Sequence, residues 1–124
     1  MPTLIAVAVA SAAGGLSRYG LGRLIAESSS SAFPWETFAI NISGSFTIGL
    51  LYALFEETAI SPTLRAAILI GFLGSYTTFS TLSLESFRLL EDGAYGLAFA
   101  NLAGSIAAGL FAVYAGIVLA RALT

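Results

Sequence analysis

AAILIGFLGSYTTFSTLSL, residues Ala66 to Leu84, decides the fold. The stretch carries no charge and approaches the ~20 apolar residues that a helix needs to cross a bilayer. Its second half is nevertheless crowded with hydroxyls: Ser75, Thr77, Thr78, Ser80 and Thr81 follow Gly74, with Tyr76 among them. Polar groups at membrane depth are costly and tend to be functional. A helix that breaks near Gly74 frees carbonyls and amides, and such breaks persist only where protein or a water-filled cavity covers them. Freed carbonyl oxygens can hold a small cation. The hydroxyls can instead bond back to their own helix, which requires no ligand. Phe79 is the aromatic within the run, and a ring presents a positive edge and a negative face. Edge-on, it suits an anion.

The rest of the chain agrees with a membrane setting. Of its 124 residues, 57% are hydrophobic and 10% charged, and the mean hydropathy is +0.90. Soluble domains carry roughly 25% charged residues. A soluble fold of this length has no room to hide so much apolar surface, so the chain reads as an all-α integral membrane protein. With no Cys and no His, disulfides, thiol chemistry, haem and most zinc sites are excluded, as is the commonest acid–base side chain. A net charge of −2 points to no nucleic acid or other strongly charged partner.

Charges divide the sequence into uncharged windows at 1–17, 37–55, 66–84 and 93–120. Transmembrane helices are expected near 2–26, 34–56, 62–90 and 94–122, with a break in the third. The first is expected to stay in the mature chain, because no Lys or Arg precedes its apolar run. The link ESSSSAFPWE joins turn chemistry to the only Trp, as at a membrane–water interface. Ser61-Pro62 reads as a cap followed by proline in the first helical turn. Glu91-Asp92-Gly93 reads as a helix end and tight turn. No link is long enough to form a domain, so residues 1–124 are expected to make one four-helix subunit. Pro2-Thr3-Leu4 recurs as Pro62-Thr63-Leu64, and NISGSFTIGL (41–50) as NLAGSIAAGL (101–110). This echo fits either a remote duplication or convergent packing chemistry.

All five cations are Arg. Arg65 and Arg121 fall on one side of such a bundle, and Arg18, Arg23 and Arg88 on the other. So even a division gives the positive-inside rule nothing to choose between. It fits copies that insert both ways and pair antiparallel, and equally a chain with too few Arg to orient it. Four short helices cannot surround a wide pore, so a transport pathway needs a second subunit. Small residues (Gly14, Gly15, Gly44, Ser45, Gly49, Gly104, Ser105, Gly109) are expected to let helix backbones approach.

Thr37, Asn41 and Ser45 share one face of the second helix, and Asn101, Ser105 and Gly109 one face of the fourth. An Asn amide donates two hydrogen bonds, which suits an anion or a neighbouring helix. No carboxylate sits at a span centre, and Glu85 is the deepest acid. That disfavours a proton relay. Arg18 is the deepest cation; it can line an anion entrance, snorkel, or pair with Glu85.

At GGLSRY, TFAINISGSF and GFLGSYTTFSTLSLE the chain resembles the Fluc (CrcB-type) fluoride channel family, over essentially its whole length. The resemblance implies an antiparallel, dual-topology homodimer in the cell inner membrane. Two narrow pores between the subunits would export fluoride passively and relieve its toxicity. It further implies that Asn41 hydrogen-bonds fluoride, that Phe79 turns its ring edge to the ion, and that Thr37 and Ser105 flank the pathway. Gly74 and Thr77 would offer main-chain oxygens to a structural Na⁺ at the dimer centre. Arg18 and Glu85 match a vestibule Arg and the acid after the TTFST run. Two features depart from the family pattern. Leu82 stands where a second Phe is usual, so one aromatic edge is absent. Asn101 and Gly109 stand where Tyr and a hydroxyl residue are common, which implies a polar track shifted toward Asn101. A small dual-topology multidrug exporter needs an acid in the first span, and none precedes Glu27. A non-transporting packing subunit remains the third reading. No nucleophile–base pair or metal-ligand cluster suggests an enzyme.

Overall fold

The computed structural model describes residues 1–124 and is helical throughout its ordered elements: α1 (Pro2–Glu27), α2 (Trp35–Glu56), α3 (Pro62–Ala66), a π-helical turn (Ala67–Phe72), α4 (Leu73–Tyr76), α5 (Phe79–Glu91) and α6 (Tyr95–Leu123). Four helical runs are long and apolar enough to cross a membrane: Pro2–Glu27, Trp35–Glu56, Pro62–Glu91 and Tyr95–Leu123. Their ends fall within a residue of the helices expected at 2–26, 34–56, 62–90 and 94–122. Only 19 of the 124 residues are buried, so most apolar side chains face outward, as they do where lipid rather than protein is the solvent. Leu4, Ile5, Leu16, Phe99 and Phe111 are among the exposed ones.

Local chemistry sets the ends. Ser61 caps α3, its hydroxyl accepting from the Leu64 amide at 3.1 Å, with Pro62 in the first turn. This satisfies an amide that a helix start leaves orphaned. Gly93 ends α5 with a φ of 76°, the left-handed region open to glycine. The amides of Gly93 and Ala94 return to Leu90 and Leu89 at 3.0 and 2.8 Å. At the start of α2, Trp35 packs with Phe33 and Phe38, ring centroids 4.7 and 5.7 Å away. The Arg65 guanidinium donates to the Phe55 carbonyl at 3.0 Å, satisfying an acceptor at the C-terminal end of α2.

The four spans pair as neighbours one and three, and two and four. The two threonines of the repeated Pro-Thr-Leu segments touch, Thr3 Oγ1 lying 2.8 Å from Thr63 Oγ1. Further along, Gly14 lies against the Phe72 carbonyl and Arg18 reaches the Ser75 carbonyl. Contacts that advance together along both spans mean that α1 and the third span run in the same direction. α2 and α6 pack closest through glycine. A Cβ on Gly49 would strike the Val113 carbonyl, and one on Gly116 the Phe46 carbonyl. This is the close backbone approach that small residues permit between membrane helices. The expectation is met at Gly14, Gly44 and Gly49 but not at Gly15 or Gly104, where a Cβ would meet no atom within 4 Å. Those two glycines face away from the subunit's own packing.

Candidate functional site

The site is built around two non-helical residues of the third span. α4 stops at Tyr76, and the next two residues are extended: Thr77 has φ −86° and ψ 161°, Thr78 φ −150° and ψ 121°. The chain resumes as α5 at Phe79, with Thr78 as its N-cap; the Thr78 hydroxyl accepts from the Thr81 amide at 3.2 Å. A continuing helix would send the Thr78 N–H to the carbonyl of Gly74. Instead that N–H donates to Asn41 Oδ1 at 2.9 Å, and the Thr78 carbonyl accepts from Asn41 Nδ2 at 3.1 Å. Asn41 thus holds both sides of one residue. With the Thr78 amide on Asn41 and the Thr81 amide on the Thr78 hydroxyl, the carbonyls of Gly74 and Thr77 lose their helical partners.

Two further contacts from α2 hold this segment. The hydroxyls of Ser43 and Tyr76 are 2.9 Å apart, and a Cβ on Gly44 would strike Thr77 Cγ2. The Tyr76 ring stacks on Phe72 with centroids 6.1 Å apart.

Asn41, Gly74, Thr77, Phe79, Leu82 and Ser105 all line one cavity of about 320 Å³. No charged side chain is among its lining residues, and Ile48, Leu69, Leu73 and Ile106 supply apolar walls. Three groups decide what it favours. The Asn41 amide has two N–H groups and spends one on Thr78, leaving the second free. Ser105 is buried, and its hydroxyl has no partner. Phe79 is 80% exposed at the cavity margin, whereas Leu82 is buried. Donors in an apolar recess reward a small hydrogen-bond acceptor, and without a fixed cation they do not trap it.

Arg18, Thr37 and Glu85 line a second cavity of about 230 Å³, with Tyr19, Arg23 and Glu36. Thr78 lines both cavities, so they adjoin. Thr37 Oγ1 donates to Glu85 Oε2 at 2.9 Å. Arg18 does not pair with Glu85; its Nε donates to the Ser75 carbonyl at 3.3 Å. The ion pair in this region is Arg23 with Glu27, at 3.4 Å along one face of α1.

Of the two roles open to Asn101, the structure shows it joining helices. It is 0% exposed, and its Nδ2 donates to Ser86 Oγ at 2.9 Å. It joins α6 to α5 and does not line the first cavity, so Ser105 is the α6 residue that supplies a polar group there. Reading the sequence alone missed the clamp on Thr78, the Ser43–Tyr76 contact and the Ser86 partner of Asn101. Thr78 had a local signal: Thr-Phe-Ser-Thr places a hydroxyl residue immediately before a helical run, which is N-cap chemistry. The other pairings join residues far apart in the chain and left no local trace.

Residues 5–117 match the family described as CrcB-like protein, Camphor Resistance (CrcB). The chain is 48% identical over 124 residues to a protein of Geobacter sp. (strain M21) named fluoride-specific ion channel FluC, covering 99% of this chain and 100% of the relative. Proteins of the same name from Citrifermentans bemidjiense and Geobacter sulfurreducens are 47% and 45% identical, again over 99% of this chain and 100% of each relative.

Proposed function

The chain belongs to the CrcB-like family, and from that membership we propose that it is a passive, fluoride-selective channel through which fluoride leaves the cell, relieving its toxicity. The name carried by its relatives supports the ion; the observation that carries the mechanism is Asn41. Its amide is oriented by two hydrogen bonds to Thr78 and keeps one N–H for a ligand. Fluoride is the smallest halide and the strongest hydrogen-bond acceptor among them. An oriented amide N–H therefore bonds fluoride more strongly than a larger halide, which offsets part of the cost of stripping its water. The Phe79 ring edge adds a weakly positive surface that needs no hydration of its own. Thr37 and Ser105 extend the polar side of the route. Leu82 contributes volume and no quadrupole, so this pathway uses one aromatic edge where a pair would otherwise stand.

A single subunit leaves the first cavity open on a face that carries the exposed Phe79 and Gly74. A second copy covering that face would close two equivalent pores. The near-even division of Arg between the two sides supports opposite insertion of the two copies, in the cell inner membrane. The break in the third span then has a use at the dimer centre. Hard cations take oxygen ligands, and main-chain carbonyls at an interrupted helix are suitable ones. The carbonyls of Gly74 and Thr77, deprived of their helical partners, fit a structural Na⁺ shared between copies. The ion would tie the interrupted spans together. Arg18, Glu85 and Thr37 belong to the vestibule, where the guanidinium draws anions toward the mouth. The role is transport, not catalysis.

Fluoride efflux from liposomes containing the purified chain tests this reading. Vesicles loaded with fluoride should discharge it down its gradient without a proton gradient. Retained fluoride in vesicles that demonstrably contain folded dimer would overturn it.

A further inference from the structure

We propose that Asn41 is also the positioning residue that keeps the cation site open, so that one side chain serves both ions. The inference rests on the reading of Gly74 and Thr77 given above. Its basis is a competition for a single proton. The Thr78 N–H has two acceptors within the reach of its chain: the Gly74 carbonyl, if the helix continues, and Asn41 Oδ1, if it does not. In the structure it donates to Asn41 Oδ1 at 2.9 Å, and Asn41 Nδ2 donates to the Thr78 carbonyl at 3.1 Å. The extended backbone at Thr77 and Thr78 is therefore hydrogen-bonded by α2 rather than by its own helix. The Gly74 carbonyl is uncapped because Asn41 has taken the amide that would cap it.

The surroundings favour the same arrangement. Gly44, one turn along α2, lets Thr77 come close, and Ser43 holds Tyr76 by its hydroxyl. Removing the Asn41 acceptor returns the Thr78 amide to Gly74 and closes the carbonyl against a cation. The two halves of the amide are separable. The oxygen maintains the cation site, and the spare N–H serves the anion.

The test measures the thermal unfolding midpoint of the dimer in Na⁺ and in N-methylglucamine at equal ionic strength, alongside fluoride efflux. The wild-type chain should melt higher in Na⁺. Asn41→Asp keeps an acceptor for the Thr78 amide and loses both N–H groups, the one on the Thr78 carbonyl and the spare one; because the Thr78 amide stays off Gly74, it should retain the Na⁺-dependent shift and lose efflux. Asn41→Ala should lose both, while remaining helical at low temperature. Asn41→Leu, closer to the original volume, takes its place if the Ala variant does not fold. A wild-type Na⁺ shift that persists in the Ala or Leu variant refutes the inference alone. Loss of the shift in a folded Asn41→Asp also refutes it. A wild-type chain that is indifferent to Na⁺ refutes the sodium reading and this inference with it.

Discussion

Gly74→Ala separates a residue that merely lies on the surface from one that lies against a second copy. A Cβ at Gly74 would meet no atom of its own subunit within 4 Å. Within the subunit the added methyl is therefore free of clashes. Replacing a helical glycine should stabilise α4 by about 0.5–1 kcal/mol through reduced backbone entropy. Against a tightly packed second copy the sign reverses, because inserting a methyl into a close-packed contact costs about 1–3 kcal/mol. That cost corresponds to roughly 5- to 150-fold weaker dimerisation, at 1.4 kcal/mol for each factor of ten. The assay is subunit exchange or dilution-induced dissociation of labelled protein in lipid vesicles, with circular dichroism as the control for folding. The expected outcome is unchanged or slightly increased helical stability with weakened pairing. Unchanged pairing would place Gly74 on a lipid-facing surface and remove the argument for a cation shared across the interface.

Phe79→Ile should leave the subunit folded, since the ring is 80% exposed, yet reduce fluoride efflux strongly; helical content and efflux measured on one preparation check this. Leu82→Phe should be tolerated or raise throughput, because Leu82 borders a cavity of about 320 Å³; complete block in the efflux assay would mean that the pathway has repacked around Leu. Ser86→Ala removes the partner of the enclosed Asn101 amide and should destabilise the chain by about 1–3 kcal/mol, read as a lowered unfolding midpoint.

The four spans were legible because they are local. Uncharged windows locate the spans, and Ser61-Pro62 and Asp92-Gly93 mark helix ends without reference to distant residues; the structure places those two ends within a residue or so. The crowding at Gly74–Thr81 contains the two extended residues, Thr77 and Thr78, and Asn41, Gly74, Thr77, Phe79, Leu82 and Ser105 lie together around one cavity. What escaped was partnership. Asn41 reads equally as helix glue or anion donor until its two bonds to Thr78, 37 residues away, are seen to use one N–H and leave the other. Arg18 offered three roles of similar merit, and only packing against the third span selects the Ser75 carbonyl. Asn101 likewise read as helix glue or as part of a polar track: its spacing from Ser105 puts both on one helical face, and its bond to Ser86 across the helix pair gives it the helix-joining role. The π-helical turn at Ala67–Phe72 had no signal in an apolar run. Gly71 within it, and Gly14 facing it, each approach a facing backbone too closely for a Cβ.

The most direct measurement records fluoride and chloride together, with ion-selective electrodes, as both leave vesicles containing the wild-type chain and a potassium ionophore. The account predicts rapid discharge of fluoride and retention of chloride, with no imposed proton gradient. Equal release of the two anions, or release of neither from vesicles that hold intact dimer, would contradict it.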